Sequence, residues 1–292
     1  MQFTIPAKTI VSARLQNGWF GADYNMNIYK GCCHGCIYCD SRSDCYGVEN
    51  FDTVRHKENA LEVIEADLRR KRQTGMILTG SMSDPYNPFE QELRLSRGAL
   101  SLIERYGFGV AVHTKSPLIT RDIDLLQAIA RHAPICVSMT ITTADDALCR
   151  KIEQNIAPSG ERFAALSKLS AAGISCGVLL MPLLPFINDT PANILAIVRG
   201  AHASGAKWIH CFMGLTLRAN QRTHYYAKLD ERFSGVKKRY IQTYGEAYSC
   251  PVPNQKELWN LFTAECRRLG LLYRMADIKE FIWSRYRERR LF

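Results

Sequence analysis

The sequence predicts an α/β protein, a partial (β/α)6 barrel of TIM type with a helical C-terminal extension. Three observations lead there. Short runs rich in Val, Ile, Leu and Met recur up to about residue 215. Each run precedes a stretch whose apolar residues fall at helical spacing, and this alternation implies a parallel sheet covered by helices. There are six such units, too few to close an eight-fold barrel. The expected organisation is a barrel with an N-terminal segment over residues 1–215, and an extension over 216–292 packed on the same domain.

In chain order, residues 1–22 read as irregular. Tyr24 to Tyr29 reads as a strand that feeds a cysteine-rich loop. Residues 58–72 carry Leu61, Ile64 and Leu68 at helical spacing. Met76 to Gly80 is a strand, and Glu92 to Tyr106 a helix. Gly109 to His113 is a strand, and Thr120 is the expected N-cap of the helix bearing Ile123, Leu126 and Ile129. Ile135 to Ile141 is a strand, followed by a helical region over 144–171 that ends at Gly173. Ile174 to Leu180, Ala192 to Ala203 and Trp208 to Phe212 read as strand, helix and strand. Beyond about residue 216 the alternation stops and the remainder reads as helical, with aromatics such as Tyr225, Tyr240 and Trp259.

The 292 residues can bury a substantial core, and 47% hydrophobic content is ordinary for a soluble protein. No apolar run approaches the roughly 20 residues that cross a bilayer, and the first eleven residues lack a signal pattern. A cytoplasmic location, with no membrane partner, is expected. The net charge of +10 suits an anionic partner such as nucleic acid or a phosphorylated substrate. The basic residues cluster at Arg69–Arg72, Lys237–Arg239 and Arg285–Arg290, where solvated helix faces would explain them equally well.

Four of the 11 cysteines fall in the stretch Cys32 to Cys39, read C-C-H-G-C-I-Y-C. In a reducing compartment such clustering favours metal binding. Three thiolates in one short loop can hold one face of an iron–sulfur cube and leave the fourth iron open, whereas a [4Fe–4S] cluster normally takes four cysteines. An open position marks a site for chemistry. Two registers fit, with Cys32 or Cys33 as the first ligand before Cys36 and Cys39. In a ferredoxin-like run from Cys33 the fourth cysteine would fall at position 43, which is Ser43. A zinc knuckle closed by His34 or Cys45 is the structural alternative, although zinc sites usually come as two separated pairs.

C-x3-C-x2-C with an aromatic before the last cysteine resembles the signature of radical S-adenosylmethionine (SAM) enzymes. The longer string N-I-Y-K-G-C-C-H-G-C-I-Y-C is similar to the group around spore photoproduct lyase. The resemblance continues through T-G-S-M-S-D-P-Y-N-P-F-E (79–90), H-T-K-S (113–116), S-M-T-I-T-T (138–143) and P-L-L-P-F-I-N-D (182–189). It implies Cys32, Cys36 and Cys39 as cluster ligands, with Cys33 a neighbour. It implies SAM chelated to the open iron, one-electron cleavage of its sulfonium bond, and a 5′-deoxyadenosyl radical that abstracts hydrogen from a substrate. It further implies an electron donor such as flavodoxin or ferredoxin.

The same resemblance assigns further residues. Tyr38 matches an aromatic near the adenine. Gly80 to Ser83 matches a glycine-containing segment near the methionyl amine, with Ser83 and Asp84 as polar contacts. Lys115 matches a lysine that pairs with the SAM carboxylate, and a lysine at the C-terminal end of a parallel strand would otherwise be odd. Ser138 matches a ribose or carboxylate contact. Arg150 and Glu153 are further polar candidates, with an i,i+3 surface pair as the plainer reading. Glu90, near Arg94 and Arg97, reads as a structural ion-pair group, and His113 and His210 read as core histidines. Tyr86 either packs or faces substrate. In the lyase a cysteine just before the Ser-Asp pair returns hydrogen to the product radical. Here that position is Ser81, while Cys211 is a thiol elsewhere in the chain that reads as structural.

These readings converge on a radical SAM enzyme acting on nucleic acid or a related anionic substrate. Radical modification of a peptide or small metabolite is the alternative within enzymes. A non-catalytic nucleic-acid-binding protein with a structural metal site is the alternative from another class.

Overall fold

The apolar runs become strands because both of their faces are covered. The computed structural model describes residues 3–13 and 19–289. The chain opens with β1 (Phe3–Ile5), β2 (Val11–Ala13), β3 (Tyr24–Met26) and β4 (Tyr29–Lys30). Two 3-10 turns after the cysteine loop lead to β5 (Arg55–Lys57) and α1 (Ala60–Arg69). Next come β6 (Met76–Thr79), α2 (Glu90–Leu93), α3 (Leu95–Arg105), β7 (Gly109–Thr114) and α4 (Ile123–Ala130). They are followed by β8 (Ile135–Thr140), α5 (Asp146–Ile152), α6 (Ser159–Ala171), β9 (Cys176–Leu180), α7 (Pro191–Ala203) and β10 (Trp208–Cys211). The chain ends with β11 (Gly214–Thr216), α8 (Ala219–Arg232), α9 (Val236–Tyr244), β12 (Ser249–Pro251), α10 (Gln255–Arg268) and α11 (Met275–Arg289).

The main sheet runs β10-β9-β8-β7-β6-β3-β2. Its six strands from β10 to β3 are parallel, so the expected partial TIM-type barrel is the observed fold. Several expectations need correction. The segment read as irregular holds β1 and β2, and β2 adds an antiparallel edge to β3. The buried carboxylate of Asp67 draws it in, accepting from Ile10 N at 2.7 Å and Val11 N at 2.9 Å. The strand expected over 24–29 breaks at Asn27–Ile28, because β4 turns into a second sheet, β1-β5-β4. Thr120 is not an N-cap. Its hydroxyl donates to Pro117 O at 2.9 Å, while Ser116 caps a 3-10 turn that precedes α4. The helical region over 144–171 is two helices, parted after Ile152. The extension, read as helical, also holds β12, which pairs antiparallel with β11 at the junction with the barrel.

Inside the barrel, the ring of Trp208 on β10 lies across Gly177 on β9. A Cβ at 177 would sit 2.3 Å from that ring, so only glycine admits it. Phe20, Met76, Leu78, Ala111 and Cys136 share this inner cluster with Ile278 and Ile282 of α11. The last helix therefore contributes to the barrel interior. Outside the sheet, a larger cluster packs α1, α3, α4, α6 and α7 on the strands. Among the described residues no helix is long and apolar enough to cross a membrane.

Candidate functional site

The C-terminal ends of the parallel strands open on a cavity of about 510 Å³. Each strand brings a segment to it. The loop after β3 and β4 supplies Cys32, His34, Cys36, Tyr38 and Cys39. The turn after β6 supplies Gly80 to Asp84, and the end of β7 supplies His113, Thr114 and Lys115. Thr140 comes from β8, Met181 and Pro182 follow β9, and Phe212 follows β10.

Local chemistry explains this convergence. Gly80 has φ +93°, and a Cβ there would meet the His113 carbonyl at 1.9 Å. Glycine alone lets the turn after β6 lie against the end of β7. Asp84 then ties these two strand ends together. Its Oδ1 accepts from Thr114 Oγ1 at 2.6 Å and Tyr86 N at 2.9 Å, and its Oδ2 accepts from Lys115 N at 2.8 Å. His34 Nδ1 lies 3.5 Å from the same Oδ2. Ser83 Oγ donates to Gly31 O, just ahead of the first cysteine, at 2.5 Å.

Lys115 is the cation of the cavity. Burial alone would lower its pKa, but the charges of Cys36, Glu153, Cys39 and Asp84 outweigh burial and raise it. Its Nζ stands 5.8 Å from the Tyr38 ring centroid. Burial, reinforced by the charge of Cys39, pushes the Cys32 thiol up to about 12. Burial also raises Cys36, against the pull of Lys115. A metal would take these cysteines as thiolates, since a coordinated thiol is deprotonated outright. The donor set of three cysteines, a half-buried lysine and polar strand ends lining one cavity suits the chemistry of a metal cluster beside a zwitterionic ligand.

The structure thus brings Cys32, Cys36, Cys39, Tyr38, Ser83, Asp84 and Lys115 to one cavity. Ser138, Arg150 and Glu153, expected as SAM contacts, are not among the residues that line this cavity. Ser138 is fully buried and accepts from Trp208 Nε1 at 3.3 Å. It lies one pleat too deep, and Thr140, two residues on, reaches the rim. Arg150 is exposed and bonds its own helix at Asp146 O, 3.4 Å away. Glu153 is fully buried behind Tyr38, accepts the Tyr38 hydroxyl and pairs with Arg162 at 2.6 Å. Burial would raise its pKa, but Arg162, Lys115 and the Tyr38 hydrogen bond bring it below the ordinary carboxylate value. No i,i+3 pair with Arg150 forms, because α5 ends at Ile152.

Glu90 is a buried ion-pair group, as read, but its partner is Arg121 at 3.2 Å. Arg97 instead pairs with Asp122 and Asp124. Tyr86 packs, with its hydroxyl 3.0 Å from Asp122. His113 lines the cavity edge-on to Phe20, at 4.9 Å between centroids. Cys211 does not line the cavity, and Ser81 does. Thr114, Thr140 and Arg162 were not expected at the site, and His34 was considered only as a zinc ligand. Thr114 and Thr140 were within reach, since Thr114 directly follows the strand read over 109–113 and Thr140 lies in the strand read over 135–141.

A family model of the Radical SAM superfamily matches residues 26–198, and the chain belongs to that superfamily. It is 29% identical over 244 residues to Uncharacterized protein Rv2578c of Mycobacterium tuberculosis, covering 80% of this chain and 71% of that one. It is 34% identical over 173 residues to Uncharacterized protein MJ0683 of Methanocaldococcus jannaschii, covering 58% and 63%. Among solved structures, a spore photoproduct lyase mutant aligns with TM-score 0.70 at 12% identity, covering 93% of this chain and 80% of that one. The radical SAM methyltransferase TsrM from Kitasatospora setae aligns with TM-score 0.57 at 15% identity, covering 91% and 59%. At these identities the likeness speaks for the fold. Membership of the superfamily makes the chain a radical SAM enzyme that uses a [4Fe–4S] cluster and SAM and needs an electron donor.

Proposed function

We propose that Cys32, Cys36 and Cys39 hold the cluster and that Tyr38, Ser83, Asp84 and Lys115 form the SAM half of the cavity. The observation that carries this reading is the shared cavity, which three cysteines line together with a half-buried lysine whose pKa nearby anionic groups raise. With both cofactors bound, SAM cleavage supplies a 5′-deoxyadenosyl radical that takes hydrogen from a substrate. The chain's own residues bind, orient and exclude. Lys115 offers a fixed cation for the SAM carboxylate. Asp84 holds Lys115 and Thr114 in register with the turn after β6. Leu179, Met181, Phe212 and Leu215 give the cavity an apolar side that keeps water from a reactive intermediate. Cys33 is read as a neighbour, off the cavity wall, its carbonyl accepting from Asn155 Nδ2 at 2.9 Å. Residues 216–292 are read as an extension that braces the site, since Gln221 Nε2 donates to Tyr38 O at 3.0 Å.

For the substrate we infer nucleic acid. The net charge of +10 supports this, as does Arg218, which sits over the rings of Tyr248 at 5.1 Å and Tyr46 at 5.9 Å. The same Arg218 reaches Asp40 on the cavity wall at 3.4 Å. Arginine and exposed aromatics together suit phosphates and unstacked bases. A spore photoproduct lyase structure holds a dinucleoside spore photoproduct, which adds an analogy of fold. Ser81 offers a hydroxyl, a poor hydrogen-atom donor, so that lyase's own route of hydrogen return does not carry over to this position. The inferred electron donor is a flavodoxin or ferredoxin. The inferred compartment is the cytosol, which suits 11 unpaired cysteines.

Two experiments test this reading. Binding to single-stranded and duplex oligonucleotides should weaken steeply with salt. Reduced enzyme incubated with deuterated nucleic acid should pass deuterium to 5′-deoxyadenosine. Salt-independent binding with no deuterium transfer would point instead to a peptide or small metabolite.

A further inference from the structure

The cysteine loop is bound to the short segment between α5 and α6. Cys36 and Glu153 form an antiparallel bridge. Ile37 N donates to Ile152 O at 3.0 Å, and Asn155 N donates to His34 O at 3.0 Å. This register fixes the Glu153 side chain behind the middle cysteine. There the carboxylate is fully buried, paired with an equally buried Arg162, and bonded by the hydroxyl of Tyr38. The remaining Arg162 donors go to Ala157 O at 2.8 Å, Thr140 O at 2.9 Å and Cys149 Sγ at 3.4 Å.

Neither Glu153 nor Arg162 lines the cavity, so neither is placed to touch SAM. Nor is such a pair a strong source of stability. Desolvation offsets much of the attraction in a buried ion pair, and apolar replacements are often as stable. The pair does have a directional electrostatic consequence. The bridge brings the Glu153 carboxylate to the strand position of Cys36, and the Arg162 guanidinium is paired with that carboxylate. The potential of an iron–sulfur cluster follows the charge and hydrogen bonding around its sulfurs.

We propose that Glu153 and Arg162 are positioning residues that set the reduction potential of the cluster through Cys36 and Tyr38. The proposal rests on the reading that Cys32, Cys36 and Cys39 hold that cluster. Reduction adds an electron, so the Glu153 charge opposes it and the Arg162 charge moderates the opposition. Tyr38 moderates it further by donating to the carboxylate. Its backbone carbonyl is held by Gln221, so the ring is fixed from both ends.

The test is a redox titration, followed by electron paramagnetic resonance, of the full chain reconstituted with iron and sulfide. Iron per chain is measured in parallel. Glu153→Gln should shift the midpoint potential upward, and Arg162→Gln should shift it downward. Tyr38→Phe should shift it downward by less. The double variant Glu153→Gln/Arg162→Gln removes both charges, leaves no unpaired buried ion, and should return the potential towards that of the parent. Iron content should hold throughout. Should either single variant fail to fold, the double variant and Tyr38→Phe still decide the matter. Equal potentials in all proteins, or shifts of one sign in both single variants, would overturn the proposal. Loss of iron from every variant would also overturn it, making the pair a brace for the loop. A parent protein that takes up no cluster would overturn the ligand reading beneath it, and this outcome is separable because it appears without any substitution.

Discussion

The backbone N–H of Lys115 donates to Asp84 Oδ2 at 2.8 Å, so the carboxylate expected to meet SAM holds the backbone of the lysine beside it. Both oxygens of Asp84 are already engaged within the protein. In the proposed reading it serves SAM indirectly, by fixing where β7 ends relative to the turn after β6.

Asp84→Asn should therefore act on both binding and stability. The amide keeps one acceptor and turns a donor towards a neighbouring donor, leaving a buried polar group unmatched. The expected loss of stability is ~1–3 kcal/mol, read as a lower unfolding midpoint in denaturant. SAM affinity should fall about tenfold, or ~1.4 kcal/mol. A variant as stable as the parent and equal to it in SAM affinity would contradict this role.

Lys115 gives a prediction in pH. Burial lowers its pKa, the surrounding anions outweigh burial, and the folded value lies above that of an unfolded lysine, about 10.4. A raised value means the contribution is complete below the unfolded pKa and is lost only as pH rises through the folded one. Equilibrium binding of SAM should then show no inflection from this group between about pH 7 and 9. Lys115→Met should weaken binding by more than about tenfold over that range. A titration step near pH 8 that disappears in Lys115→Met would show the lysine to be depressed instead.

The cysteine register separates the two readings of the loop. Cys32→Ala should abolish iron uptake, because Cys32 shares the cavity wall with Cys36 and Cys39. Cys33→Ala should spare it. Equal loss of iron from both would mean that Cys33 is also a ligand.

The barrel interior offers a stability test remote from the site. Gly177→Ala drives a methyl into the ring of Trp208, from which an ideal Cβ lies 2.3 Å away. Overpacking of this kind costs ~1–3 kcal/mol, and the unfolding midpoint should fall accordingly. An unchanged midpoint would mean that Trp208 moves aside freely.

These residues show what was legible in the sequence. The six parallel strands were, because strands covered on both faces must be apolar throughout. So was the loop chemistry, because three cysteines and a lysine at a strand end are conspicuous against such runs. Depth along a strand was not legible. Ser138 and Thr140 lie on the same face, and only the barrel's geometry decides which one reaches the rim. Buried charge was not legible either. Arg162 occurs in S-G-E-R-F, a stretch that reads as an ordinary helix face, and its partner Glu153 lies beyond the helix end. Short pairings such as β2 with β3 and β11 with β12 are settled by distant partners, and three-residue segments carry no period to read.

The most direct test of the central claim is anaerobic reconstitution followed by reduction in the presence of SAM, with iron and 5′-deoxyadenosine quantified. About four irons per chain and formation of 5′-deoxyadenosine are predicted, both lost in Cys36→Ala. A colourless protein holding one tightly bound zinc, with SAM left intact, would contradict it.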